Sequence, residues 1–173
     1  MKYRAQCFFL VAAALLSSAT ATAAGRVPSN EEAQNKTVQC EVTSVHDGDS
    51  MRARCPGMKD TVRIRIHQID APEIGQAYGK TSRDTLRRLC ERGRTAAFSI
   101  VGKDDYGRLL AGVECGQKDV ATTMLESGAA WVYRQYQHDK ALVQLEQRAR
   151  EAKRGLWQDP NAQAPWEYRR DRR

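Results

Sequence analysis

Three short stretches of the chain set acids and arginines beside turns. The first is Asp47-Gly48-Asp49-Ser50. The second runs from Ile64-Arg65-Ile66 through His67-Gln68-Ile69 to Asp70-Ala71-Pro72-Glu73, and the third is Tyr106-Gly107-Arg108. A guanidinium followed by two carboxylates around a proline suits a hard metal ion, a phosphate and a general base. Asp-Gly is a common hairpin turn, which accounts for Asp47 and Gly48. It does not account for Asp49, an acid at a strand start, where strand propensity disfavours it. The third stretch is a turn that delivers an arginine to the beginning of a strand.

The elements around these residues follow from periodicity. Val62, Ile64 and Ile66 alternate with Arg63, Arg65 and His67, the pattern of a strand with one buried face, expected over Thr61 to Ile69. Pro72 fixes its own φ and biases Ala71 to an extended conformation, so the chain leaves the sheet at a set angle. Two short strands are expected between Thr37 and Cys55, on either side of a two-residue Asp47-Gly48 turn. Gly79 to Arg92 reads as a helix with Leu86, Leu89 and Cys90 inward, arginines outward and Gly93 as its C-cap. Ala96 to Val101 and Leu109 to Cys115 read as strands. Asp119 caps a short helix through Ser127, ended by Gly128, and His138 to Lys153 forms a longer helix, ended by Gly155. Trp157 and Trp166 pack back onto the domain. Five strands with one helix inserted, then helices, describe an α+β chain: a five-stranded β-barrel of OB type with about three packed helices.

The 173 residues suffice for one domain with a proper core. Lys2 and Arg4, the apolar run from Cys7 to Leu16 and Ala21-Thr22-Ala23 have the order of an export signal, cleaved after Ala23 or alternatively after Ala21. The run is too short for a stable membrane span. Residues 1–23 are thus a leader, residues 24–36 a polar, flexible lead-in, and the product is expected in a periplasm or secreted. Loss of Lys2 and Arg4 leaves 26 basic and 21 acidic side chains, a charge of +5 that favours polyanions. Four cysteines remain, with no CxxC spacing, which suggests disulfides rather than zinc. Three connectivities are open. A two-residue turn makes His46 face Asp49 and brings Cys40 opposite Cys55, at a hydrogen-bonded position of the ladder, and Cys90 then pairs with Cys115 by elimination.

Taken together, Asp47-Gly48-Asp49-Ser50, Ile64-Arg65-Ile66 with Ile69-Asp70-Ala71-Pro72-Glu73, and Asp104 with Tyr106-Gly107-Arg108 resemble the staphylococcal nuclease, or thermonuclease, family. Tyr78-Gly79, the Gly128 to Tyr133 segment and Arg154-Gly155-Leu156-Trp157 also fit its bacterial members, so the resemblance covers roughly residues 38 to 168. It implies a nuclease domain over 37–168, a basic tail over 169–173, and a calcium-dependent endonuclease acting on DNA and RNA with little sequence preference. Asp49, Asp70 and the Ala71 carbonyl match the family's calcium ligands. Glu73 matches its general base, Arg65 and Arg108 its phosphate clamp, and Tyr106 a pocket tyrosine, with Tyr133 or Tyr136 as a second aromatic wall. Arg63 shares the parity of Arg65, but the family's spacing before Asp70 selects Arg65. His46, His67 and His138 match no catalytic position and read as surface residues. Three departures stand out: Asp105 where a basic residue is usual, Ser50 for threonine, and a short loop between Glu73 and Tyr78.

Two other readings compete. A non-catalytic OB-fold module would bind nucleic acid without cutting it, but such a binder has no need of Asp49, Asp70, Glu73 and both arginines together. A basic, envelope-associated structural protein would explain the charge and disulfides but not the acid pairs. The expected partners are DNA and RNA, and the expected state is a monomer.

Overall fold

The computed structural model of the chain describes residues 36–172. The leader and nearly all of the lead-in lie outside the described residues. Strands β1 (Lys36–Val45), β2 (Ser50–Arg54) and β3 (Val62–Ile66) form an antiparallel meander. The short β4 (Ile69–Asp70) and helix α1 (Gly79–Leu89) follow, then β5 (Thr95–Lys103) and β6 (Leu109–Cys115). β5 pairs antiparallel with β1 and β6 with β5, while β6 returns parallel to β3 and closes a five-stranded barrel. Its core holds Val42, Met51, Ile64, Ile66, Phe98 and Val113, the inward positions of the alternating strands. After β7 (Lys118–Asp119), α2 (Val120–Glu126) begins at an Asp119 side chain that accepts the Thr122 N–H. β8 (Trp131–Val132), α3 (Lys140–Glu151) and α4 (Pro165–Arg170) complete the domain. α3 is capped by Asp139 rather than starting at His138. Among the described residues no helix is long and apolar enough to cross a membrane.

The β1–β2 hairpin corrects the two-residue turn and explains why its cysteine pairing still holds. His46 N–H donates to Ser50 O at 3.0 Å, so the loop contains three residues, Asp47, Gly48 and Asp49. That shift alone would put Cys40 out of register with Cys55. A bulge between Val42 and Ser44 reverses it, restoring Val42 opposite Ala53 and Glu41 opposite Arg54. The structure joins Cys40 to Cys55 with Cα atoms 4.4 Å apart, the spacing of a non-hydrogen-bonded pair rather than the hydrogen-bonded one expected. Cys90 is joined to Cys115. This second bridge accounts for a correction to α1, which ends at Leu89 and not at Arg92. Cys90 is the C-cap, drawn out of helical geometry toward β6, and Gly93 instead serves a turn whose N–H donates to Val42 O.

The strand that carries Arg65 is also shorter than its sequence pattern. β3 stops at Ile66, and Gln68 adopts a left-handed φ of 45°. The turn occurs before Pro72 rather than at it, because Ile69 and Asp70 leave the barrel to pair with Val132 and Trp131 of β8. Tyr133 N–H donates to Gln68 O at 2.8 Å and secures the crossing.

A second apolar cluster of Trp131, Ala149, Leu156, Trp157 and Ala164 seats the C-terminal segment. Trp131 meets Trp157 and Trp166 edge-on, with centroids 4.3 Å and 5.5 Å apart. Two glycines allow the approach. A Cβ on Gly128 would fall 2.3 Å from Arg154 O, and one on Gly155 would fall 2.2 Å from Gly128 O. Residues 169 and 170, expected in a tail beyond the domain, belong to α4, which Trp166 ties to this cluster.

Gly48 is needed for space. A Cβ there would lie 1.9 Å from Ser82 Oγ on α1 and 2.7 Å from the Ala71 Cβ. Gly48→Ala is therefore expected to cost about 1–3 kcal/mol, the range for overpacking a filled site, read as a lowered midpoint in urea. An unchanged midpoint would show that α1 yields without cost.

Candidate active site

Asp49, the last residue of the hairpin loop, is fixed by both flanking elements. Its backbone N–H donates to Asp47 Oδ1 at 3.1 Å, and its carbonyl accepts the Ile66 N–H at 2.8 Å. Its Oδ2 accepts the Ala71 N–H at 2.7 Å and lies 3.2 Å from Arg65 Nη2. Burial pushes the Asp49 carboxyl well above the usual carboxylate range. Arg65 opposes that shift, while Asp47 and Asp70 add to it.

Arg65 stands opposite Ser50 across the β2–β3 ladder and beside Leu110 across β3–β6. Its Nη1 donates to Ile66 O at 2.6 Å and Ile69 O at 2.8 Å, and its Nη2 to Asp70 Oδ1 at 3.1 Å. The kink after β3 thus presents two carbonyls to one edge of the guanidinium, while two carboxylates face its other nitrogen. Asp70 is wholly buried. Arg63 shares the parity of Arg65 but donates to Tyr106 O, on the loop before β6.

Glu73 lies past Pro72 in the short loop expected from the sequence. Its carbonyl accepts the Gln76 N–H, and its own N–H donates to Gln76 Oε1 at 3.2 Å. Gly79 packs so closely that a Cβ there would fall 1.8 Å from Glu73 O. The base candidate therefore has a fixed backbone and a half-exposed carboxylate.

Arg108 enters from the turn between β5 and β6, which Asp104 organises. Asp104 Oδ1 accepts the N–H groups of Tyr106 and Arg108, and its Oδ2 accepts Arg108 Nε at 2.7 Å. Burial pushes the Asp104 carboxyl up, but the Arg108 N–H, the Arg108 guanidinium and the Tyr106 N–H bring it below its ordinary value. Tyr106 is largely exposed, with Arg108 over its ring at 5.6 Å. Tyr133 and Tyr136 stand 6.3 Å apart, and Arg65 lies 5.9 Å from the Tyr133 centroid. His67 is a correction: it is half-buried and meets the Tyr136 ring edge-on at 5.5 Å.

All of the expected site residues outside the cysteines line one open groove of about 570 Å³: Asp49, Arg65, Asp70, Ala71, Glu73, Tyr106, Arg108, Tyr133 and Tyr136. The structure adds Arg169. From α4 its Nη2 donates to Asp70 Oδ2 at 2.7 Å, and its Nη1 to Asp70 Oδ1 at 3.1 Å and Glu73 Oε1 at 2.9 Å. Hydrogen bonding to Asp70 raises the pKa of Arg169, against the cost of burial. Its sole sequence signal was an arginine three residues after Trp166, in a segment that reads as a charged tail. Asp104 was visible within the third motif, but not as the residue that shapes the turn.

Asp104→Asn is expected to weaken this turn, with the sign fixed by the lowered pKa. The lost stabilisation is full above the ordinary value of 3.8 and disappears as pH falls through the depressed folded value. Denaturation of both forms at pH 7 and in acid measures it. A penalty equal at both pH values would make the effect one of shape alone.

A family model described as "Staphylococcal nuclease homologue" matches residues 63–159, a span that includes Arg65, Asp70, Glu73, Tyr106 and Arg108. A protein of Haemophilus influenzae named "Uncharacterized endonuclease" is 36% identical over 131 residues, covering 76% of this chain and 72% of that protein. One of the same name from Escherichia coli O157:H7 is 40% identical over 129 residues, covering 74% and 82%. "Micrococcal nuclease" of Shigella flexneri is 36% identical over 141 residues, covering 75% and 79%. With the motifs on one groove and the family match over more than half its length, the chain belongs to the staphylococcal nuclease family.

Proposed function

We propose that the protein is an exported, calcium-dependent endonuclease that hydrolyses the phosphodiester bonds of DNA and RNA with little sequence preference. The observation that carries this reading is the convergence of Asp49, Asp70, Glu73, Arg65 and Arg108 on a single groove. Asp49 Oδ2 and Asp70 Oδ1 lie 3.2 Å and 3.1 Å from Arg65 Nη2, which makes the two carboxylates neighbours, and the burial of Asp49 disfavours its charge unless more positive charge is supplied. Such an oxygen-donor set fits a hard divalent cation, with the Ala71 carbonyl as a backbone donor. The bound cation would stabilise negative charge on the phosphate oxygens.

The chain's own groups supply the rest. Glu73 Oε2 makes no hydrogen bond among the described residues and accepts the proton of the attacking water. Arg108 is held by its Nε, which leaves both terminal nitrogens for phosphate oxygens, and Arg65 supplies positive charge from the groove floor. These groups act where charge accumulates as the new oxygen–phosphorus bond forms and the ester bond breaks. Tyr106, Tyr133 and Tyr136 offer stacking surface, worth about 1–3 kcal/mol per base and indifferent to sequence. The leader pattern in residues 1–23 and the two disulfides support export to a periplasm or beyond.

Single-stranded DNA, duplex DNA and RNA, each digested with calcium and with chelator, test the reading. Cleavage is expected with calcium alone. Binding without cleavage would instead favour a non-catalytic OB-fold module. Glu73→Gln is expected to remove most turnover and leave nucleotide affinity within about twofold of wild type; equal loss of both would make Glu73 structural. Arg108→Ala is expected to lower kcat by about 10²–10³-fold, the usual cost of losing a transition-state donor.

A further inference from the structure

We infer that Arg169 competes with the divalent cation for Asp70, so that the C-terminal helix and the metal site oppose one another. The inference rests on the metal reading above.

A carboxylate offers about four lone-pair sites. Asp70 gives three of them to guanidinium N–H groups: Arg65 Nη2 and Arg169 Nη1 on Oδ1, and Arg169 Nη2 on Oδ2. A cation that coordinates Asp70 draws on the same oxygens and meets the positive charge of Arg169 at hydrogen-bond range. Arg65 differs in kind. Its Nη1 is committed to the carbonyls of Ile66 and Ile69, and its side chain is only 12% exposed, so the barrel fixes it. Arg169 is 39% exposed and extends from a six-residue terminal helix, so it is the guanidinium free to withdraw. Its third contact, to Glu73 Oε1, makes the exchange consequential. While Arg169 bridges Asp70 and Glu73, one oxygen of the proposed base is occupied, and withdrawal frees it.

Linkage makes the competition reciprocal: whatever factor Arg169 takes from cation affinity, the cation takes from the seating of α4. Calcium titrated into wild-type protein, Arg169→Ala and Arg172→Ala by calorimetry, without nucleic acid, tests the first half. Arg172 carries the same charge on the same segment but lies over the Tyr168 ring, at 4.1 Å. Arg169→Ala is expected to tighten the calcium Kd by about fivefold or more, with Arg172→Ala unchanged. Equal tightening in both variants would reduce the effect to net charge and overturn the inference, as would unchanged or weaker binding by Arg169→Ala. Hydrogen exchange on the wild-type protein tests the second half and needs no variant: amides of residues 166–170 are expected to exchange faster at saturating calcium. Unchanged or greater protection overturns it. Wild-type protein that binds no calcium at all overturns the metal reading as well, which separates the two failures.

Discussion

A carboxylate with no exposure to solvent cannot stay charged in a protein interior without partners, and Asp70 is such a group. Removing one member of a buried ion pair typically costs about 3–5 kcal/mol, and the chain around Asp70 brings two guanidinium groups to it, Arg65 and Arg169. The break after Ile66 points Arg65 at Asp70 while offering that arginine two carbonyls. The β4–β8 pairing sets Trp131 opposite Asp70. Trp131 in turn anchors Trp157 and Trp166, and through them α4 and Arg169. The second apolar cluster thus connects a hydrophobic requirement to an electrostatic one. Burying the tryptophans and neutralising Asp70 are achieved by the same docking of the C-terminal segment.

The groove wall is built differently on its two sides. Asp49 and Asp70 are buried and interlocked with the part-buried Arg65, while Tyr106 and Arg108 ride on a turn shaped by Asp104. Asp105 lies within that turn and adds a further carboxylate to the groove lining. The short loop after Glu73 is tightly held. Its two successive turns and the close approach of Gly79 hold the Glu73 backbone in one place.

How much of this was readable in advance depended on how local the determining physics was. Strand alternation around Ile64, the Asp119 cap and the spacing of Asp49, Arg65, Asp70 and Glu73 are properties of neighbouring residues, and they survive folding. The Cys40–Cys55 pairing was reached through a wrong turn length, made good by a bulge that no residue near Thr43 announces. Gln68 is neither glycine nor asparagine, so nothing local marked the left-handed residue that ends β3; the pull comes from β8, more than sixty residues on. Arg169 was the hardest case. A basic residue near a chain end looks like a solubility tail, and only the tryptophan packing shows where it goes. The histidines illustrate the converse: His67 alternates with buried isoleucines like a solvent-facing residue, yet Tyr136 covers it.

The contact between Gly128 and Gly155 has a bearing on which substitutions the enzyme tolerates. Neither glycine lines the groove, yet their backbones touch at the point where the chain turns toward α4. A methyl group at either position has to push one backbone away from the other, and the displaced segment is the one that leads to Arg169. The set of positions that govern the charge around Asp70 is therefore larger than the set that touches it. Variation at this distant crossing would alter the ion pairs around Asp70 while leaving every groove residue unchanged in identity.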